Sequence, residues 1–120
     1  MTLYHVTHKE DVESILKNGL VPMYGMRTQI TDDRVAVYFF KELDDAFKKD
    51  VTTWMTFCLP RECMALLKVT LPDDYPSLHE RYGWEVYSVS MIPPEYIEVM
   101  EYDFVSLKKE DYMDMECYFA

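Results

Sequence analysis

Glycine is scarce in this chain of 120 residues, with three in all. A loop that cradles phosphate needs several close together so that the backbone can approach the anion, and no such stretch occurs. Cysteine is as scarce. Cys58, Cys63 and Cys117 are an odd set without CxxC spacing, which argues against a disulfide framework and a zinc site and leaves reduced thiols as the expectation. There is no HExxH and no nucleophile elbow. His5 and His8 fall on different expected elements, so no metal shared between them is expected. No apolar run reaches the roughly 20 residues of a membrane span. The opening Met1-Thr2-Leu3-Tyr4-His5 lacks the basic and apolar regions of a secretion signal, so a soluble, cytoplasmic protein is expected.

Positive charge is the other shortage: 12 Lys and Arg stand against 22 Asp and Glu, for a net charge of −10. Nucleic-acid binders neutralise phosphates with basic side chains, and this surface repels a polyanion, so nucleic acid is not the expected partner. The acidity fits solubility or a basic protein partner, solubility being the simpler reading.

Apolar residues are plentiful at 49%, enough for one core and one domain over 1–120. Aromatic residues make up 15%, pointing to a core of bulky rings or a ring-lined cleft. Residues 2–6 alternate and are β-prone. Thr7-His8-Lys9-Glu10 has the pattern of a capping box, opening a helix in which Val12, Ile15, Leu16 and Leu20 follow at helical spacing. Gly19 and Pro22 stop it. Residues 21–34 have no period and read as a long, functional-type loop. Residues 35–40 form a strand apolar on both faces. Two short helices follow, one with Leu43, Ala46 and Phe47 inward, the other carrying Val51, Trp54, Met55 and Cys58. Strands are expected at 63–71, 84–91 and 97–104, with a polar, turn-rich stretch at 73–83. The acidic segment 106–120 is either a short helix over 108–115 or frayed. The expected fold class is α+β, a mixed β-sheet with two or three short helices.

Three segments in chain order carry a family resemblance. Leu3-Tyr4-His5-Val6-Thr7, with the helix ending Ile15-Leu16-Lys17-Asn18-Gly19-Leu20, resembles the first strand and helix of ADP-ribosyltransferases of the poly(ADP-ribose) polymerase type. Val37-Tyr38-Phe39-Phe40, running into a helix with Ala46, resembles their second motif. Trp84-Glu85-Val86-Tyr87-Ser88-Val89, leading to Ile92 and Tyr96-Ile97, resembles the strand with the glutamate. The pattern, including Ile92-Pro93-Pro94-Glu95-Tyr96-Ile97, is also similar to small bacterial and phage proteins of that fold.

The resemblance implies NAD as substrate, no metal, and a catalytic set of Glu85, His5 and Tyr38. Glu85 would stabilise the positive charge that builds on the ribose as nicotinamide leaves. His5 would bond a ribose hydroxyl, and Tyr38 would stack on nicotinamide. Val6 and Thr7 would border the ligand, Val6 standing where the family often has a glycine whose backbone binds the nicotinamide amide. Ala46 stands where a serine commonly assists. Arg27, in the long loop, is the candidate for the pyrophosphate, with Arg61 the other available arginine. ADP-ribose would pass to a macromolecular acceptor, more readily a basic protein than nucleic acid. The rival reading is a degenerate transferase fold that serves as an acidic protein-binding or inhibitor module. A related RNA phosphotransferase would need basic residues in the cleft that these motifs do not supply. The transferase reading requires His5, Tyr38 and Glu85 to meet in one cleft with the Glu85 carboxylate exposed to it.

Overall fold

The computed structural model describes residues 1–22, 35–56, 58–76 and 78–112. Its first strand, β1 (Thr2–His8), pairs with β3 (Met64–Thr70) along its whole length, from Thr2↔Thr70 to His8↔Met64. The strand therefore outruns its expected end at Val6, because β3 offers it partners for two further residues. Thr7 is buried in the strand, so the expected capping box does not form. His8 caps instead: its Nδ1 accepts the Glu10 N–H at 3.2 Å, ahead of a 3-10 turn and helix α1 (Val12–Asn18).

Gly19 ends α1 with φ +91°, a backbone conformation that favours glycine. A Cβ there would lie 2.3 Å from the Ile92 carbonyl oxygen. The close approach lets Leu20 and Ile92 exchange two main-chain hydrogen bonds, of 3.0 and 2.9 Å.

Strand β2 (Val37–Phe40) is buried throughout. Helix α2 (Leu43–Ala46), a π-helical stretch (Phe47–Val51) and α3 (Thr52–Thr56) follow as one continuous run, where the sequence reads as two helices. Strands β4 (Leu78–Arg81), β5 (Glu85–Ser88) and β6 (Ile97–Met100) complete a six-stranded sheet of order β4-β5-β2-β1-β3-β6. Every pairing is antiparallel, a correction to the mixed sheet expected. β4 is also unexpected, arising inside the polar stretch 73–83. β6 is shorter than expected and gives way to a 3-10 turn (Phe104–Ser106) and α4 (Lys109–Tyr112).

The sheet is covered on both sides. On one face Leu3, Val37, Phe39, Leu67, Val69 and Val86 pack with Ile15 and Leu20 from the α1 region. On the other, Val6, Phe40, Met64 and Leu66 pack with Ala46, Phe47 and Val51. Phe39, Phe40, Leu66 and Leu67 are fully buried, each contributing about 1.5–3 kcal/mol by leaving water. Because side chains alternate along a strand, this double burial fixes the face of every residue in the motifs.

Candidate functional site at the β1–β2 fork

β1 and β2 are matched at one position, Tyr4↔Phe40. At the fork beyond it, His5 Nδ1 lies 2.7 Å from the Tyr38 main-chain oxygen. A carbonyl only accepts, so Nδ1 carries a proton and donates it to Tyr38. The ring also tilts against Phe39 at 5.8 Å. His5 thus lies on the α1 face with Leu3 and Phe39, and meets Tyr38 through its backbone alone.

Val6, next along β1, finds its main-chain partners in side chains. Its N–H donates to Asp50 Oδ2 at 3.1 Å, and its carbonyl accepts from Trp54 Nε1 at 3.0 Å. Asp50 and Trp54 are four apart, so both project from one side of the helical run. Asp50 sits within the π-helical turn, a distortion that frequently marks a functional region. Asp50 is 9% exposed and Val6 1%. Together Asp50 and Trp54 supply an acceptor for the N–H and a donor for the C=O, the pair of groups a carboxamide would offer.

Tyr38 and Glu85 do come together, on the opposite face of the sheet from the His5 ring. What joins them is Arg81, which the sequence does not single out. Arg81 Nε donates to Glu85 Oε2 across the β4–β5 hairpin, and its guanidinium carbon lies 5.3 Å from the Tyr38 ring centre and 5.8 Å from that of Tyr87. Tyr38 and Tyr87 are themselves in contact at 5.9 Å. The Glu85 side chain is 0% exposed. The expected cleft with an exposed Glu85 carboxylate, shared with His5, is therefore not what these residues form: alternation along β1 and β2 turns His5 away, and Arg81 covers the carboxylate. Burying a carboxylate is costly without a partner, and the cross-hairpin arginine meets that cost.

Thr7 is buried in β1 opposite Ala65, and Ala46 is fully buried against the Phe40 side of the core. Arg27 lies outside the described residues. Arg61 serves a structural end: it donates to the carbonyls of Phe104, Val105 and Leu107 at 3.4, 3.1 and 2.8 Å, holding the 3-10 turn after β6. Among the described residues no group of three or more His, Cys, Asp or Glu could hold a metal ion, and no helix is long and apolar enough to cross a membrane. Asp50, Trp54 and Arg81 are the site residues that sequence reasoning misses. Their signals are faint, an acid and an indole at i, i+4 and an arginine four residues before the glutamate.

Compared with known proteins, the chain matches no family model and none of the curated proteins. The resemblance to ADP-ribosyltransferases accordingly rests on the three sequence segments alone.

Proposed function

We propose that this chain is a transferase-type fold that works by binding and not by catalysis, engaging a basic protein through its acidic surface. The observation that carries the reading is the double hold on Val6. Were nicotinamide to bind as the resemblance implies, its amide would need the Val6 N–H and C=O, and Asp50 and Trp54 already satisfy both. The covered Glu85 carboxylate supports the same reading, since a group that is to steady a forming cation must face it. The net charge of −10 supports a basic partner. The test is incubation with NAD at high protein concentration, reading nicotinamide release. None above the buffer rate is expected, whereas release that Glu85→Gln abolishes would overturn the reading. Association with the basic partner should weaken with added salt and survive Glu85→Gln.

A second reading has an observation of its own: Tyr38, Arg81, Glu85 and Tyr87 are contiguous on one face. In it the chain transfers ADP-ribose from NAD to a macromolecular acceptor, preferably a basic protein, with Asp50 and Trp54 as a plug that the dinucleotide displaces. The same NAD experiment decides between the two.

A further inference from the structure

Asn18 is the single asparagine of the chain, and Gly19 follows it. Neither reading of the fork uses the pair. An Asn-Gly step carries a reactivity of its own, because a glycine nitrogen has no Cβ beside it to hinder attack on the asparagine Cγ. The N–Cγ bond forms and the Cγ–Nδ2 bond breaks, closing a cyclic imide. The side-chain nitrogen leaves as ammonia, taking the proton of the glycine N–H. Water then opens the imide at either carbonyl, giving aspartate or isoaspartate.

Asn18 is exposed to that water, and three features of the fold oppose the first step. Asn18 is the last residue of α1, and the imide cannot close while its backbone stays helical. The Gly19 N–H donates to the Ile15 carbonyl at 2.7 Å, which occupies the proton that the attacking nitrogen must lose. Asn18 Nδ2 donates to Ser14 Oγ at 3.4 Å, drawing the side chain back along the helix and away from Gly19.

We infer that Asn18-Gly19 is a deamidation site gated by the last turn of α1, shut while the turn holds and open when it frays. The isoaspartyl product cannot restore the contacts of that turn. It routes the main chain through Cγ and adds a backbone atom between Asn18 and Gly19. Gly19 has no slack to absorb the addition, since even a Cβ there would lie 2.3 Å from the Ile92 oxygen. The lengthened chain must give up either the Ile15–Gly19 bond or the exchange between Leu20 and Ile92. Ordinary aspartate leaves the backbone unchanged and adds only a negative charge at the negative end of the helix, a small cost. The fork takes no part, so the inference is separable from the proposed function.

The test is incubation of the full chain at physiological temperature and pH, in buffer and in guanidinium chloride. Mass spectrometry of the peptide carrying Asn18 reads the conversion and separates isoaspartate from aspartate. Conversion should be at least about tenfold slower in buffer, because it draws only on the opened fraction. Equal rates would overturn the gate. No conversion in denaturant, or no isoaspartate among the products, would overturn the site. The isolated isoaspartyl chain should fail to refold or melt at least about 5 °C below the Asn18→Asp variant, which carries the charge without the added atom. Matching melting temperatures would overturn the loss of contacts.

Discussion

Asp50→Ala is the most direct perturbation of the Val6 hold. It removes the acceptor at 3.1 Å from the Val6 N–H, in a residue only 1% exposed. Leaving a buried donor unsatisfied costs about 1–3 kcal/mol, and Asp50 belongs toward the upper end because it engages further groups. Trp54→Phe keeps most of the ring and removes the N–H donated to the Val6 carbonyl at 3.0 Å. A carbonyl tolerates an empty lone pair better than an N–H tolerates no acceptor, so about 1 kcal/mol is expected. In a chain of this size each kcal/mol lowers the melting temperature by about 3–6 °C. Urea denaturation should show lower midpoints at unchanged slope for both variants. The two bonds hold one residue, so the double variant should depart from additivity by about 0.5 kcal/mol or more. Amide hydrogen exchange supplies the local reading: the Val6 N–H should exchange faster in Asp50→Ala beyond the loss in global stability. Two variants neutral to within about 0.3 kcal/mol, or an unchanged Val6 exchange rate after correction for stability, would refute the reasoning.

Gly19→Ala should lose at least about 3 kcal/mol in a denaturant melt, because it combines φ +91° with a Cβ 2.3 Å from the Ile92 oxygen; a loss under about 1 kcal/mol would contradict the close approach. Arg61→Met should free the 3-10 turn after β6, costing about 1.5–3 kcal/mol and speeding limited proteolysis near Asp103–Leu107; an unchanged cleavage rate would contradict the clamp. Tyr75 and Tyr102 have pKa values raised above 10.0, in both cases first by burial, then by Tyr96 and Glu95 for Tyr75 and by Asp111, Asp103 and Asp44 for Tyr102. The folded state therefore keeps these phenols protonated where the unfolded chain has begun to lose them. Their contribution should be whole below pH 10 and fall away as pH rises through the folded pKa, readable as late phenolate absorbance with a parallel drop in the urea midpoint.

The parts of the fold that sequence conveys are those where one local signal acts alone. Val37 to Phe40 is apolar at every position and can only be a strand covered on both faces. Helix α1 shows its period and its glycine stop. What escapes notice depends on partners distant in sequence. β4 has one apolar residue in Leu78-His79-Glu80-Arg81 and exists because β5 pairs with it at the sheet edge. Thr7 has the chemistry of a cap, but Ala65 across the sheet keeps it in a strand. β5 stops at Ser88, short of the expected strand, where the Ser88 hydroxyl donates to the Ser90 carbonyl and accepts from its N–H, turning the chain locally. At the fork, the motif residues were legible as types and their faces were not. Alternation sets His5 against Tyr38 and Glu85, yet the register that decides it lies in the pairings of β1 and β2 with their neighbours. Nothing local to Asp50 or Trp54 announces that they reach back across 44 and 48 residues to Val6.

The central claim, that the fork is closed to nicotinamide chemistry, is tested most directly by nicotinamide release from NAD, comparing the parent chain with Glu85→Gln. The expected result is that both match the buffer control, even at protein concentrations approaching that of NAD. Release by the parent chain that disappears in a folded Glu85→Gln variant would contradict the account, and would show that Asp50, Trp54 and Arg81 give way to the dinucleotide.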